Sequence, residues 1–251
     1  MLRSLFLLAL VVAVLAGCDT SEPDGTAPAP ISPAAFALDT DAFPDANSRV
    51  DAGPNYLNAA ARVGIVSTVV GLNLVLPVAA TDAVTRDAPT LDPDGDFVWR
   101  ATVDVFGTPV ALRLKGAVED GDVNWRLVTA EDTDAPFTYY TATTSLDGET
   151  GSWRLFNPNE SGAVLTATFD VRDLNDREVT FRVPDGRENG RSSVRYATDG
   201  TEQTFDWLSQ PEGDRALIVW DRETRAGSIT ADAYNGGARA CWDADLRDVA
   251  C

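Results

Sequence analysis

The stretch that decides the fold is residues 56–80, YLNAAARVGIVSTVVGLNLVLPVAA, which carries a single charge, at Arg62. From Val63 onward, apolar side chains fall on every side of a helical wheel, and a helix of that kind must be enclosed by protein or lipid. We expect a helix over 56–80, with Asn55 as its N-cap and with Pro77 ending its regular part. The chain that follows alternates as β-strands do.

The uncharged run of residues 63–80 also has about the length of a transmembrane span. Asn73 and two glycines interrupt this run, and Pro77 lies close to its end. We therefore favour a core helix, buried by the rest of the domain, over a helix that crosses a membrane.

From Phe97 the apolar period changes to two. Phe97, Trp99 and Ala101 alternate with Arg100 and Thr102, which is typical of a strand with one buried face. Similar segments follow, separated by turn sequences such as Asp147-Gly148 and Asn235-Gly236. The predicted strands are 97–105, 110–114, 123–127, 137–145, 152–156, 163–171, 178–183, 192–197, 204–208, 216–221, 228–234 and 238–242.

These patterns predict a mainly β fold. We expect an antiparallel up-and-down sheet of about 10–12 strands, because tight turns join the segments and no helix intervenes. A sheet of that size must curl or close, so we expect a curved sheet or barrel packed around the one long apolar N-terminal helix. The helix (56–80) and the strands (97–251) would form a single β domain over residues 49–251.

The start of the chain predicts export. Residues 1–17 combine a basic Arg3, the apolar run LFLLALVVAVLA and small residues at a cleavage site, as in a secretory signal peptide. The tetrapeptide at 15–18, LAGC, resembles the lipobox of bacterial lipoproteins. That resemblance implies that Cys18 becomes the first mature residue, with a diacylglycerol thioether and an acylated, palmitate-type amino group. An ordinary secreted protein is the alternative.

Lipidation of Cys18 would make the protein a membrane-anchored component of the bacterial envelope. Several acyl chains on one residue give firm attachment, and we expect the outer membrane, with the periplasmic or surface side left open. Residues 18–48 are acidic, rich in proline and without apolar periodicity, so we predict a flexible tether between anchor and domain.

The charge excludes one class of partner. The chain has 39 acidic and 20 basic residues, a net charge of −19, and such a surface repels nucleic acid. The partners that we expect are the membrane, through the anchor, and either a hydrophobic small molecule or an envelope protein.

The last eleven residues, CWDADLRDVAC, contain Cys241 and Cys251. An exported compartment permits disulfides, whereas two cysteines without histidine are too few for a zinc site. We predict a Cys241–Cys251 disulfide across a terminal hairpin that turns at residues 243–247.

The sequence contains no catalytic or cofactor signature. The absence of histidine removes Ser-His-Asp and Cys-His arrangements, and no GxSxG, Walker or GxGxxG motif is present. Asp92, Asp94 and Asp96 are spaced like the start of a calcium loop, but Phe97 stands where that loop needs glycine. We predict a turn capped by aspartate, with no metal, no cofactor and no enzymatic activity.

Aromatic residues in the predicted strands admit two interpretations. They pack on the helix, or they line a cavity for a hydrophobic ligand between the helix and the sheet. The candidate lining residues are Trp99, Trp125, Tyr139, Trp153, Trp207 and Trp220.

The lipobox, the apolar helix with its tryptophan-rich meander, the segment 218–229 (IVWDRETRAGSI) and the CWDADLRDVAC ending together resemble a group of acidic bacterial envelope lipoproteins. More distantly, the expected fold is similar to lipocalin-like barrels and to periplasmic lipid-carrying lipoproteins. The resemblance implies two alternative functions. One is binding of a lipid or similar ligand between helix and sheet, and the other is a structural or interaction role in which the helix plugs the barrel.

Overall fold

The computed structural model describes residues 26–30, 38, 43, 51–105, 107–129, 136–173, 175–210 and 212–251. The predicted signal peptide at 1–17 and the lipidation site Cys18 lie outside these residues, as does most of the predicted tether at 18–48.

One helix, α1, occupies Pro54–Val84. Gly53 is its N-cap, and Pro54 begins the helix with a φ angle that is already helical. Asn55 is not the cap, because its side chain binds the end of the chain instead. Its Nδ2 donates to the carbonyl oxygen of Cys241 at 2.8 Å, and the Tyr234 hydroxyl donates to its Oδ1 at 2.6 Å.

Pro77 lies inside α1, so the prediction that the regular helix ends there was wrong. The residues that follow it on the inner side, Ala80, Thr81 and Val84, are buried. The free energy gained by burying these residues offsets the cost of the backbone hydrogen bond that proline cannot donate. The Thr81 hydroxyl donates to the carbonyl oxygen of Pro77 at 2.8 Å and lies 3.0 Å from the Tyr140 hydroxyl.

The rest of the described chain is mainly β, as predicted. Its strands form one 14-stranded sheet in which spatial order follows chain order and neighbours pair antiparallel. The strands are β1 (Thr90–Leu91), β2 (Phe97–Val105), β3 (Thr108–Glu119), β4 (Asp122–Thr129), β5 (Thr138–Ser145), β6 (Thr150–Phe156), β7 (Ala163–Asp173), β8 (Asp176–Arg182), β9 (Ser193–Asp199), β10 (Glu202–Ser209), β11 (Asp214–Asp221), β12 (Gly227–Ala231), β13 (Ala240–Trp242) and β14 (Asp248–Val249).

The expected number of about 10–12 strands was too low. The strands that were missed, β1 and β14, have two residues each and are therefore too short to show an alternating pattern. The segment predicted over 228–234 also ends earlier, at Ala231, because a 3-10 turn follows at Asn235–Gly237.

The sheet is open rather than closed into a barrel, since its hydrogen-bonded order begins at β1 and ends at β14. Helix α1 contacts β2 and β3 near one edge and β12, β13 and β14 at the other. Because strands near both edges contact one helix, the sheet curls around it.

The core lies between α1 and the inner face of the sheet. Buried residues alternate along the strands, as with Leu112 and Leu114 on β3 and Val123 and Trp125 on β4. These side chains form one hydrophobic cluster with the inner side of α1, which includes Tyr56.

The outer side of α1 is not enclosed. Ile65 and Val69 are 62% and 55% exposed, and Gly64 and Thr68 on the same side are also exposed. The expectation that an all-round apolar helix is enclosed was therefore wrong here, because the sheet covers only one side of α1. Within the part of the chain that the structure describes, no helix combines the length and apolar character needed to cross a membrane.

The predicted disulfide between Cys241 and Cys251 is confirmed, with Cα atoms 5.3 Å apart. The turn between β13 and β14 is closed by the Asp243 N–H, which donates to the Arg247 carbonyl at 3.0 Å.

Phe43 belongs to the segment predicted as tether, yet its ring packs on the domain. Its centroid lies 4.8 Å from that of Trp220 and 5.6 Å from that of Tyr56. Ala27 and Leu38 also pack against the core. These contacts tie individual residues of 18–48 to the domain, and the flexibility of the segment as a whole stays a prediction.

Candidate functional site

The aromatic residues that were candidates for cavity lining fall into two groups. Trp99, Trp125, Trp153 and Trp220 are buried in the hydrophobic cluster, whereas Tyr139 and Trp207 are partly buried against it. The ring centroids of Trp99 on β2 and Trp125 on β4 are 5.7 Å apart, so these side chains meet across the intervening strand β3. For the four buried tryptophans, packing is the arrangement that the structure shows.

The contact between α1 and the middle of the sheet is tight. Leu74 of α1 faces Trp153, Leu155 and Phe181, and the gap between them leaves no room for a water molecule. At this point the helix fills the concave side of the sheet.

Two of the buried indole N–H groups have partners. Trp125 Nε1 donates to Thr144 Oγ1 at 3.0 Å, and Trp242 Nε1 donates to the Arg225 carbonyl at 2.7 Å. Trp220 Nε1 has no hydrogen-bond acceptor among the described residues. The edge-on Phe43 ring is its nearest aromatic neighbour.

Tyr140 links β5 to α1 through its hydroxyl contact with Thr81. Burial raises the pKa of Tyr140 to about 12, and the hydrogen bond with Thr81 opposes only part of this rise. The phenol therefore stays neutral in the folded protein well above its ordinary pKa of 10.0.

This burial predicts a loss of stability at alkaline pH. Between about pH 10 and 12 the unfolded chain loses the Tyr140 proton while the folded chain keeps it, so the free energy of unfolding falls by about 1.4 kcal/mol per pH unit. Urea unfolding of the wild type and Tyr140→Phe over this range should show a shallower decline in the variant. At neutral pH the free energy of unfolding of Tyr140→Phe should be about 1 kcal/mol lower than that of the wild type, because the hydrogen bond with Thr81 is missing. Tyr139→Phe is the control, and an identical alkaline decline in wild type and Tyr140→Phe would contradict the assignment.

The Asp92–Asp96 segment forms the predicted aspartate-capped turn. Asp92 Oδ1 accepts the backbone N–H groups of Asp94 and Asp96, each at 3.0 Å. The three carboxylates lie close enough together to hold a cation. Lys115, however, lies among them, with Nζ 3.2 Å from Asp92 and in contact with Asp96. The hydrogen bond from the Asp96 N–H, followed by that from Lys115, lowers the pKa of Asp92.

A second candidate site lies on the outer face of the sheet. Residues directly opposite one another on adjacent strands form a line from β3 to β8, which we call the basic row. Its members are Lys115, Arg126, Thr141, Arg154, Thr166 and Arg182. Beside it runs a second line, the hydroxyl row, made of Ala117, Asn124, Thr143, Ser152, Thr168 and Thr180.

Part of these two rows lines a shallow groove of about 610 Å³. The charged side chains at the groove are Lys115, Arg126 and Arg154, and no carboxylate lines it. This is notable in a chain whose acidic residues outnumber basic ones 39 to 20. Because Lys115 is paired with Asp92 and Asp96, it is Arg126 and Arg154 that make the groove a local positive surface on an acidic protein.

The cations of the basic row differ in their partners. Lys115 is engaged by aspartates, and Arg126 donates to Thr138 Oγ1 at 3.3 Å. Arg154 and Arg182 are exposed, and neither has an ion-pair partner in the described part of the chain. Lys115 also stands directly opposite Arg126, an arrangement of like charges that destabilises a sheet.

Sequence reasoning missed these rows, although the signal was partly present. The period of two already placed Arg126 and Arg154 on the solvent face of their strands. To see that these residues align across six strands, one must know the register of each strand pair. Bulges such as the one after Leu127 shift that register, and the alternation of apolar and polar residues does not reveal them.

The chain matches no protein-family model, no curated protein and no solved structure.

Proposed function

We propose that the protein is a lipid-anchored, non-enzymatic interaction protein of the bacterial cell envelope. In this proposal Cys18 holds it in the outer membrane, residues 18–48 act as the tether, and α1 plugs the concave side of the sheet. It needs no cofactor, and it recognises a partner through its outer surface.

The observation that supports this proposal is the tight contact between α1 and the inner face. Leu74 meets Trp153 and Phe181 without space for water, and the four buried tryptophans pack in the same cluster. A ligand pocket needs a cavity of several hundred Å³. Where the described helix and sheet meet at Leu74, no ligand fits between them, and this favours the outer surface as the place for recognition.

A second candidate function is binding of a lipid or another hydrophobic small molecule between α1 and the sheet. The inner face favours it, because Trp153, Leu155 and Phe181 would present an apolar lining to a ligand if the helix moved away. In this role α1 would move away from the sheet, and Trp99, Trp125, Tyr139, Trp153, Trp207 and Trp220 would line the space.

Native mass spectrometry separates the two functions. The mature chain, exported with Cys18→Ser so that no acyl group is added, is weighed before and after denaturation. The interaction protein gives the polypeptide mass less two hydrogens for the disulfide. An added mass that disappears on unfolding would support the ligand carrier and would contradict the plugged interior.

The exposed side of α1 gives a further prediction. Replacing Ile65 and Val69 together by asparagine should change the free energy of unfolding by only about 0.5 kcal/mol or less per site, because both side chains already face solvent. Binding of a hydrophobic fluorescent dye should fall in this variant but not in Leu217→Asn, a control on the sheet. A large loss of stability would show that these side chains are covered in solution.

A further inference from the structure

We infer that the basic and hydroxyl rows form a binding site for an acidic polysaccharide that lies across strands β3 to β8. The inference deepens the proposed function and rests on recognition at the outer surface. Native mass spectrometry tests only whether a ligand lies between α1 and the sheet. The proposed interaction protein and the polysaccharide site can therefore fail separately.

The spacing of the cations fits a linear polyanion. Arg126, Arg154 and Arg182 occupy alternate strands β4, β6 and β8. Adjacent strands are about 4.8 Å apart, so these arginines recur about every 10 Å along a line perpendicular to the strands. The whole row, from Lys115 to Arg182, spans about 24 Å. A single anion would need only one of these arginines, whereas a chain with regularly repeated charges engages all of them.

The hydroxyl row favours a sugar polymer over a bare polyanion. Asn124, Thr143 and Ser152 line the same groove as Arg126 and Arg154. Hydroxyl and amide side chains both donate and accept hydrogen bonds, as the neutral hydroxyls of a sugar require. Arginine, with its planar fork of donors, binds carboxylate or sulfate groups.

Two further features bear on the ligand. The rows contain no aromatic residue, and Trp125, which also borders the groove, is only 2% exposed. Sites for single-stranded nucleic acid use accessible aromatic side chains on which bases stack. The net charge of −19 repels polyanions at long range, but physiological salt screens charges beyond about 8 Å. Along the basic row, Arg154 and Arg182, which have no ion-pair partner among the described residues, therefore dominate.

The test measures binding of the mature Cys18→Ser chain to immobilised alginate, a linear polysaccharide of uronates, at physiological salt. The main variant is Arg126→Gln/Arg154→Gln/Arg182→Gln. Its matched control is Arg86→Gln/Arg191→Gln/Arg239→Gln, which loses the same charge from exposed arginines outside the rows. We expect the main variant to bind about tenfold more weakly and the control to bind within about twofold of the wild type.

Three further probes identify the ligand class: neutral dextran, inorganic polyphosphate and vesicles of phosphatidylglycerol. Thr143→Val/Thr168→Val, which removes two hydroxyls from the hydroxyl row, should weaken binding to alginate while leaving any binding to polyphosphate unchanged. Neutral dextran should not bind.

The inference is overturned if the wild type does not bind alginate, or if the main variant and the control lose binding equally. Polyphosphate binding as tight as alginate binding, with no effect of the threonine changes, would show a site for bare polyanions. Vesicle binding that exceeds alginate binding and is lost in the main variant would assign the rows to lipid headgroups instead.

Discussion

Replacing Trp220 by alanine should lower the free energy of unfolding by about 3–5 kcal/mol, the largest effect expected from a single substitution in this protein. Trp220 is 1% exposed and lies against Phe43 and Tyr196, with ring centroids 4.8 and 6.4 Å away. The backbone of β12 is packed against Trp220 as well. A Cβ atom added to Gly227 would lie only 2.9 Å from the Cβ of Trp220, which is closer than such atoms normally approach. Such surroundings cannot collapse into the space that the indole leaves.

Trp207→Ala is the matched control, because Trp207 is a strand tryptophan that is only partly buried. We expect a clearly smaller loss there, as measured by urea unfolding. Trp220→Phe should lower the free energy of unfolding by less than Trp220→Ala does. Phenylalanine keeps an aromatic ring in the site, and the change removes an indole N–H that has no acceptor among the described residues. Equal losses for Trp220→Ala and Trp207→Ala would contradict the packing assigned to Trp220.

Removing the disulfide by Cys241→Ala/Cys251→Ala should lower the free energy of unfolding by about 2–3 kcal/mol, as expected for a bridge that closes a short loop. The effect should reach the start of α1, because the Gly53 N–H donates to the Leu246 carbonyl at 2.9 Å and the Asn55 N–H to Asp248 at 3.0 Å. Hydrogen exchange should therefore speed up at residues 53–57 as well as in β13 and β14.

Reduction of the wild type in the Cys18→Ser background provides the comparison, since Cys241 and Cys251 are then the only cysteines. Reduced wild type and the double alanine variant should unfold at the same urea concentration. If exchange increases only in β14 and not at residues 53–57, the disulfide does not stabilise the start of α1.

The sequence predicted the general fold because alternation is a local property. Trp125 and Leu127 on β4 show the period of two directly, and glycine turns mark where most strands end. The open sheet could not be predicted, because closure depends on whether β1 and β14 meet, and these strands have two residues each.

The ends of α1 were mispredicted for a tertiary reason. Asn55 has a side chain suited to an N-cap but uses it to bind Cys241 and Tyr234, which are far away in sequence. Pro77 has the local properties of a helix terminator, but burial of Val84 keeps the helix intact beyond it. Composition likewise hid the basic row, since the net charge of −19 averages over a surface on which Arg154 and Arg182 have no ion-pair partner among the described residues.

The two edges of the open sheet differ in what they offer to a second copy of the protein. An open sheet exposes unpaired backbone groups at both edges, and these groups can pair with the edge of another copy. The edge at β14 offers such a partner very few hydrogen bonds, because β14 has two residues. At the other edge β1 pairs only with Phe97 and Val98, and residues 99–105 of β2 have no strand partner on that side among the described residues. The disulfide also fixes the chain end beside β14, through Cys241 on β13. Crowded copies are thereby kept from pairing through the β14 edge, and strand pairing between them is directed to the edge of β2.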